Sequence, residues 1–275
     1  MTEIAAWPTA GEGYRLLLIH IGQFFRLAAG WIACLLGCAV AKMLPLPALM
    51  LSLLDLATLL VAAVAAASFS VSWYRAILED ETSPGRVPMT LGPRELRFLG
   101  HQTAIVLVPG LPAVLLALLV GAESWWNAAF AVFHGAPAEP LTLLRLVGGL
   151  AVLVPMSIAG FVISPRLMLV LPLVATDEPG PLLASAWQVG KGNTMALFKG
   201  WLGCILPPIL LWALLWFELA GAVGPIAMPA VEAAGDLFFF IALAASTGFF
   251  SFSYAQLAEG NRARDNVPRF AMPAE

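Results

Sequence analysis

The sequence predicts an all-α integral membrane protein with six transmembrane helices, and three observations carry that expectation. Of 275 residues, 60% are apolar and only 11% charged, against about 25% charged in an ordinary soluble domain. The apolar residues gather into six runs, each long enough to span a bilayer with help from its flanks, separated by short polar or Pro/Gly-bearing breaks. Threading those runs puts Arg15, Arg26, Arg75, Arg86, Arg94, Arg97, Arg166, Lys191, Lys199, Arg262, Arg264 and Arg269 on one side, and only Lys42 and Arg145 on the other. That bias places both termini in the cytoplasm.

Residues 1–13 are polar and carry Gly and Pro, which predicts a flexible N-terminus without regular structure. No basic start or compact apolar core marks a cleavable leader, so the first span is expected to act as its own anchor. From Tyr14 to Leu27 the pattern is amphipathic: Arg15 and Arg26 lie three turns apart with His20 and Gln23 near the same side, while Leu17, Leu18, Ile21 and Phe25 turn away. An interfacial helix is expected there, running into a first span over about 28–44. Pro45 and Pro47 make the turn, and a second span covers about 48–74.

The longest polar interruption, from Trp73 to Gly100, carries four arginines and reads as a cytoplasmic hinge. Arg94, Arg97 and His101 recur at i, i+3 and i+7, giving the segment before span three a basic edge. Span three, about 102–121, contains Pro109, Gly110 and Pro112, which predict a kink. Residues 122–140 hold paired tryptophans and no Lys or Arg, as suits an outer loop with an aromatic anchor. Span four covers about 141–171. The break that follows ends in a short amphipathic segment with Leu182, Ala186 and Val189 on one side. Span five, about 194–219, passes through Pro207 and Pro208; an outer loop over 220–235 and span six over about 236–257 complete the domain, leaving a cytoplasmic tail at 259–275.

An amphipathic piece thus precedes spans one, three and five. Phe98, Gly100, Ile105 and Ala113 have the same residue one hundred positions later, at Phe198, Gly200, Ile205 and Ala213, and SWYRAILE is echoed by FSYAQLAE. A threefold hairpin repeat over 14–75, 92–168 and 181–258, within one membrane domain at 14–258, is the expected organisation.

The WYR close of span two, RELRFLG, PRLMLVLP and SAWQVGKGN together resemble a group of uncharacterised bacterial multi-pass membrane proteins, akin to the YciC-like family and to the membrane domain attached to some glycerophosphodiester phosphodiesterases. The resemblance implies the bacterial inner membrane and a domain without catalytic residues. The chain departs from it at Gln188 and Lys191, where that group commonly carries Arg.

No metalloprotease, phosphate-loop, nucleophile-elbow or dinucleotide motif occurs. Cys34, Cys38 and Cys204 lie in apolar runs as packing residues, with no His, Asp or Glu near Cys34 and Cys38, so neither metal nor cofactor is expected. A net charge of −3 and the lack of any basic stripe with interleaved aromatics exclude nucleic acid. Asp55 is the sharpest lead. Facing lipid it would cost up to about 3 kcal/mol, so it is expected to face the bundle or a water-filled cavity, in a polar cluster with Arg145 and Glu218. Arg15, Arg26, Arg94, Arg97, His101, Lys191 and Lys199 are the candidate contacts to lipid headgroups. These features favour a noncatalytic inner-membrane scaffold or accessory protein that engages anionic lipid, a membrane partner or a second copy of itself. The alternative is a small transporter or lipid-handling permease with a site near Asp55.

Overall fold

The computed structural model describes residues 4–79, 91–120, 140–178, 182–220 and 228–265, with side-chain surroundings described for all of these except 108, 109, 112–120, 140–153, 220 and 260–265. The expectations for the hinge around Arg86, the outer loop with His134 and the last ten residues lie outside that set. All regular structure among the described residues is helical: α1 Ala6–Ile19, α2 Ile21–Lys42, α3 Ala48–Leu78, α4 Pro93–Val120, α5 Pro140–Met168, α6 Val170–Ala175, α7 Leu182–Val189, α8 Thr194–Ala220 and α9 Met228–Asp265. Among the described residues, five stretches are long and apolar enough to cross a membrane: Ile21–Lys42, Ala48–Leu78, Val154–Ala175, Thr194–Leu219 and Met228–Glu259.

The N-terminal expectation is corrected. Residues 6–13 are helical, because Pro8 falls in the first turn of α1, where its missing N–H has no intrahelical partner to lose. Ile4 is buried and its N–H donates to Asn193 Oδ1 at 3.0 Å, which ties the chain start to the turn before α8. The expected helix over 14–27 is broken at His20 (φ −104°, ψ 30°), and its first part packs across α8 and α9. Glycine makes that crossing possible. A Cβ on Gly13 would stand 2.5 Å from the Ala245 carbonyl oxygen, and one on Gly248 would stand 3.0 Å from the Gly13 Cα. Close backbone approach through small residues is how membrane helices gain packing where apolar burial against lipid gains nothing. Gly13→Val is therefore expected to cost about 1–3 kcal/mol and to lower the thermal midpoint in detergent, whereas Gly22→Val, with no atom within 4 Å of its Cβ, should leave the midpoint in place.

Helix α4 starts as its sequence dictates. Gly92 caps, Pro93 takes the first helical position, and Glu95 Oε2 accepts the Gly92 N–H at 2.8 Å, a capping box. The amphipathic segment before span three is thus the first turns of α4 itself, and α4 stays helical across 109–112. The outer loop expected over 220–235 is shorter, since α9 begins at Met228 with Pro229 in its first turn, and the expected tail is helical as far as Asp265.

One aromatic seam holds α2, α3 and α9 together. Phe24, Phe69, Trp73 and Phe240 are all buried; Phe69 stacks on Trp73 at 5.8 Å between centroids and tilts against Phe240 at 5.1 Å. The Trp73 indole donates to the Ala244 carbonyl at 3.2 Å, closing the seam. A second core gathers around α6, whose six residues are all buried.

Candidate functional site: an apolar chamber in a ring of helices

Helices α3, α4, α5, α8 and α9 form a ring in which each touches the next: α3 on α4, α4 on α5, α5 on α8, α8 on α9 and α9 on α3. All five line a chamber of about 450 Å³, within the range of about 300–1,000 Å³ in which small-molecule pockets fall. Buried α6 contributes Leu171 to it, next to Met168 at the end of α5, on the side where Tyr74 and Phe98 meet at 6.0 Å between centroids. At the other end stand Trp212 and Gly235. Along α8 the lining runs from Trp201 to Trp212, eleven residues or about 17 Å. A cavity of that volume lined along that length suits an elongated apolar occupant. Val106, Ile209 and Phe239 line the chamber and are also exposed on the outside of the bundle, so its wall is thin toward the surrounding lipid.

The lining is aromatic and aliphatic with a few polar groups. Thr247 Oγ1 donates to the Leu243 and Ala244 carbonyls at 2.9 Å, the usual recourse of a hydroxyl inside a helix. Ser70 Oγ and Gln102 Oε1 are buried and have no hydrogen-bond partner among the described residues. Beyond Trp212 and Gly235, the same two residues line a second, polar pocket of about 270 Å³ with Leu35, Thr58, Glu232 and Asp236. A Cβ on Gly235 would stand 2.9 Å from the Trp212 ring, so the indole lies directly on the glycine, and both cavities are lined by this pair.

The sequence-derived polar cluster is arranged differently from its expectation. Asp55 does not point into the bundle: its side chain is 66% exposed and its Oδ1 pairs with Lys42 Nζ at 2.8 Å, across the α2–α3 turn. Lys42, the one cation near the end of span one, supplies the countercharge that removes the need for burial. Lys42 and Glu232 also act electrostatically on Asp236, so the second pocket adjoins the Lys42–Asp55 pair. Glu218 is exposed, and the Arg145 side chain lies outside the described set. Asp236 and Glu232 were not singled out from the sequence, although their i, i+4 spacing after a Lys-free break is a readable signal.

The headgroup candidates divide. Arg15, Arg26, Lys191 and Lys199 are exposed, Arg15 reaching Glu12 at 3.3 Å, and His101 Nδ1 lies 2.9 Å from the Arg97 carbonyl oxygen. Arg94 and Arg97 instead clamp Asp177, Arg94 Nε donating to Oδ2 at 2.5 Å and the Arg97 guanidinium to Oδ1. Asp177 follows α6 in the left-handed region at φ 55°, so this clamp fastens the α6 end to the start of α4. Nearby, Arg166 stacks 3.6 Å over the Trp187 ring and donates to its carbonyl, holding α7 against the end of α5.

Hydrogen bonds from Arg94 and the two guanidinium charges hold the Asp177 carboxyl below its ordinary value of 3.8. A carboxyl so lowered contributes stability that is complete above its unfolded value and is lost as pH falls through the folded one. With the side chain about a third exposed, the clamp is worth about 1 kcal/mol and should weaken with salt. Thermal midpoints compared between pH 7 and about pH 3 should therefore fall less in Asp177→Asn than in the parent chain; an equal fall in both would show that the clamp contributes nothing.

No protein-family model matches this chain, and neither a curated protein nor a solved structure matches it.

Proposed function

We propose that this is a noncatalytic lipid-binding protein of the bacterial inner membrane, whose helical ring holds one hydrocarbon chain of a lipid while exposed basic residues meet the anionic cytoplasmic leaflet. The chamber carries this reading: it is largely apolar, about 450 Å³ in volume, and thinly walled toward lipid. Arg15, Arg26, Lys191 and Lys199 are exposed and lie on the side assigned to the cytoplasm. The threading that goes with it has six spans and cytoplasmic termini. Helix α4 has 28 residues, about 42 Å, enough to add a sixth crossing to the five apolar stretches. The pairs α2–α3, α4–α5 and α8–α9 are each in contact, as three repeated hairpins require. Gly100 and Gly200 nevertheless sit differently, the first in open surroundings and the second against Phe249.

Single cysteines at positions 86 and 127, in a chain otherwise free of cysteine, test the threading with an impermeant thiol reagent. Position 127 should label in intact cells and position 86 only after permeabilisation; the reverse would invert the protein. For the lipid, native mass spectrometry of the detergent-purified protein should show a retained single-chain mass that survives washing. A bare protein mass in every preparation would remove the chamber's proposed role.

A second reading, a lipid-handling permease, is favoured by one observation, that the chamber and the second pocket share Trp212 and Gly235 in their linings. Trp212→Ala would remove the indole that both linings share. Faster exchange of labelled lipid between leaflets of liposomes carrying that variant would support this reading, and unchanged exchange would leave a binding protein.

A further inference from the structure

The chamber's two unpartnered polar atoms define what its occupant must carry. Ser70 is 1% exposed and fully inside the lining, yet its hydroxyl makes no hydrogen bond among the described residues. Most buried hydroxyls in this fold are partnered; among the described residues Ser253, on α9 and outside the chamber lining, is the other buried serine without a hydrogen bond. Thr58 bonds back to Leu54, Ser164 to Gly160, Thr247 to Leu243 and Ser251 to Thr247, each reaching the carbonyl one turn earlier. A serine in a helix has that carbonyl within reach, and Ser70 differs from Ser253 in lining the chamber, where its hydroxyl is left to bond an occupant. Gln102 Oε1, on the neighbouring helix, is likewise buried and unpartnered.

Their placement is linked. Tyr74 on α3 meets Phe98 on α4 at 6.0 Å between ring centroids, and Ser70 and Gln102 each lie one turn beyond that contact on their own helices, both lining the chamber. Ser70 lies about 12 Å along α3 from its end at Leu78, with Trp212 at the far end of the chamber. A polar shelf therefore stands at the cytoplasmic end of a largely apolar space, to which α9 contributes two further hydroxyl-bearing residues, Ser246 and Thr247. Gln102 Oε1 accepts only, while Ser70 Oγ both donates and accepts. One hydroxyl satisfies both at once, donating its proton to Gln102 Oε1 and accepting from Ser70.

We propose that the chamber selects a single-chain lipid whose polar end is a hydroxyl, held between Ser70 and Gln102 with its chain extended toward Trp212. This rests on the reading of the chamber as a lipid site, and the polar end is what it adds. Chain length alone gives little selectivity, because leaving bilayer lipid for an apolar chamber exchanges one hydrocarbon surrounding for another. The hydroxyl is different: in the bilayer it lies at the interface bonded to water and headgroups, so the shelf replaces those bonds, and an unfilled shelf leaves two buried polar atoms unmatched.

The test uses tritiated hexadecanol and tritiated hexadecane, bound to the full chain in nanodiscs and corrected for partition into empty nanodiscs. The wild-type protein should prefer the alcohol by about tenfold. In Ser70→Ala/Gln102→Leu the alcohol should fall to the level of the alkane, with alkane binding unchanged. Equal binding of both probes by the wild type would overturn the shelf while leaving the chamber standing. Binding of neither above empty nanodiscs would overturn the chamber and the shelf together. Because the wild-type ratio is decisive, the result does not depend on the double variant folding.

Discussion

Trp73→Ala is expected to remove most of the folded protein. Trp73 is 1% exposed, stacks on Phe69, meets Phe24 edge-on at 6.3 Å and donates its indole N–H to the Ala244 carbonyl of α9. Truncation opens a cavity at the junction of α2, α3 and α9 and breaks a hydrogen bond between helices. Removing a buried tryptophan costs about 3–5 kcal/mol, a large fraction of the roughly 5–15 kcal/mol that holds a domain together. Monodisperse protein recovered by size exclusion should drop sharply, while Trp7→Ala, removing a side chain 64% exposed, should lose far less. Equal recovery of both would mean that the aromatic seam does not hold α2 and α3 on α9.

The second large effect concerns the chamber. Ile205 lines it from α8, between Trp201 and Ile209. Replacing it with tryptophan should fill the space a lipid chain would take, and bound hexadecanol should fall at least about tenfold. Leu210→Trp is the matched control, since Leu210 is 57% exposed on the lipid-facing side of the same helix and should keep wild-type binding. If the two variants bound alike at equal thermal stability, lipid would be binding elsewhere on the protein.

How far this fold can be read from its sequence depends on whether a feature is local. The apolar runs are local, and five of them appear among the described residues as helices long enough to cross a membrane; the GPRE cap is local too, although it was not read from the sequence. Helix α1 was missed because Trp-Pro-Thr reads as a turn unless the proline is placed in the first turn of a helix, and that placement depends on Ile4 docking at Asn193. Asp55 was expected to need burial; the turn at Pro45 and Pro47 brings Lys42 back to it instead. The clamp of Arg94 and Arg97 on Asp177 joins residues about eighty positions apart, and no periodicity announces it. The chamber is the least legible feature of all. Ser70 is one of three alternating serines in span two, and Gln102 is one polar residue among many near a helix start. Only the antiparallel packing of α3 against α4, with Tyr74 on Phe98, turns them into neighbours.

The central claim is that a lipid chain lies inside the ring of helices, and photocrosslinking locates it directly. A hexadecanol bearing a diazirine near mid-chain would be equilibrated with the protein in nanodiscs, irradiated, and its adducts mapped by peptide mass spectrometry. Adducts should fall on inward residues such as Ile205, Leu243 and Phe250, and should be suppressed in Ile205→Trp. Adducts confined to Leu210, Leu214 and Phe217 on the exposed face of α8, unchanged by Ile205→Trp, would place the lipid outside and contradict the account.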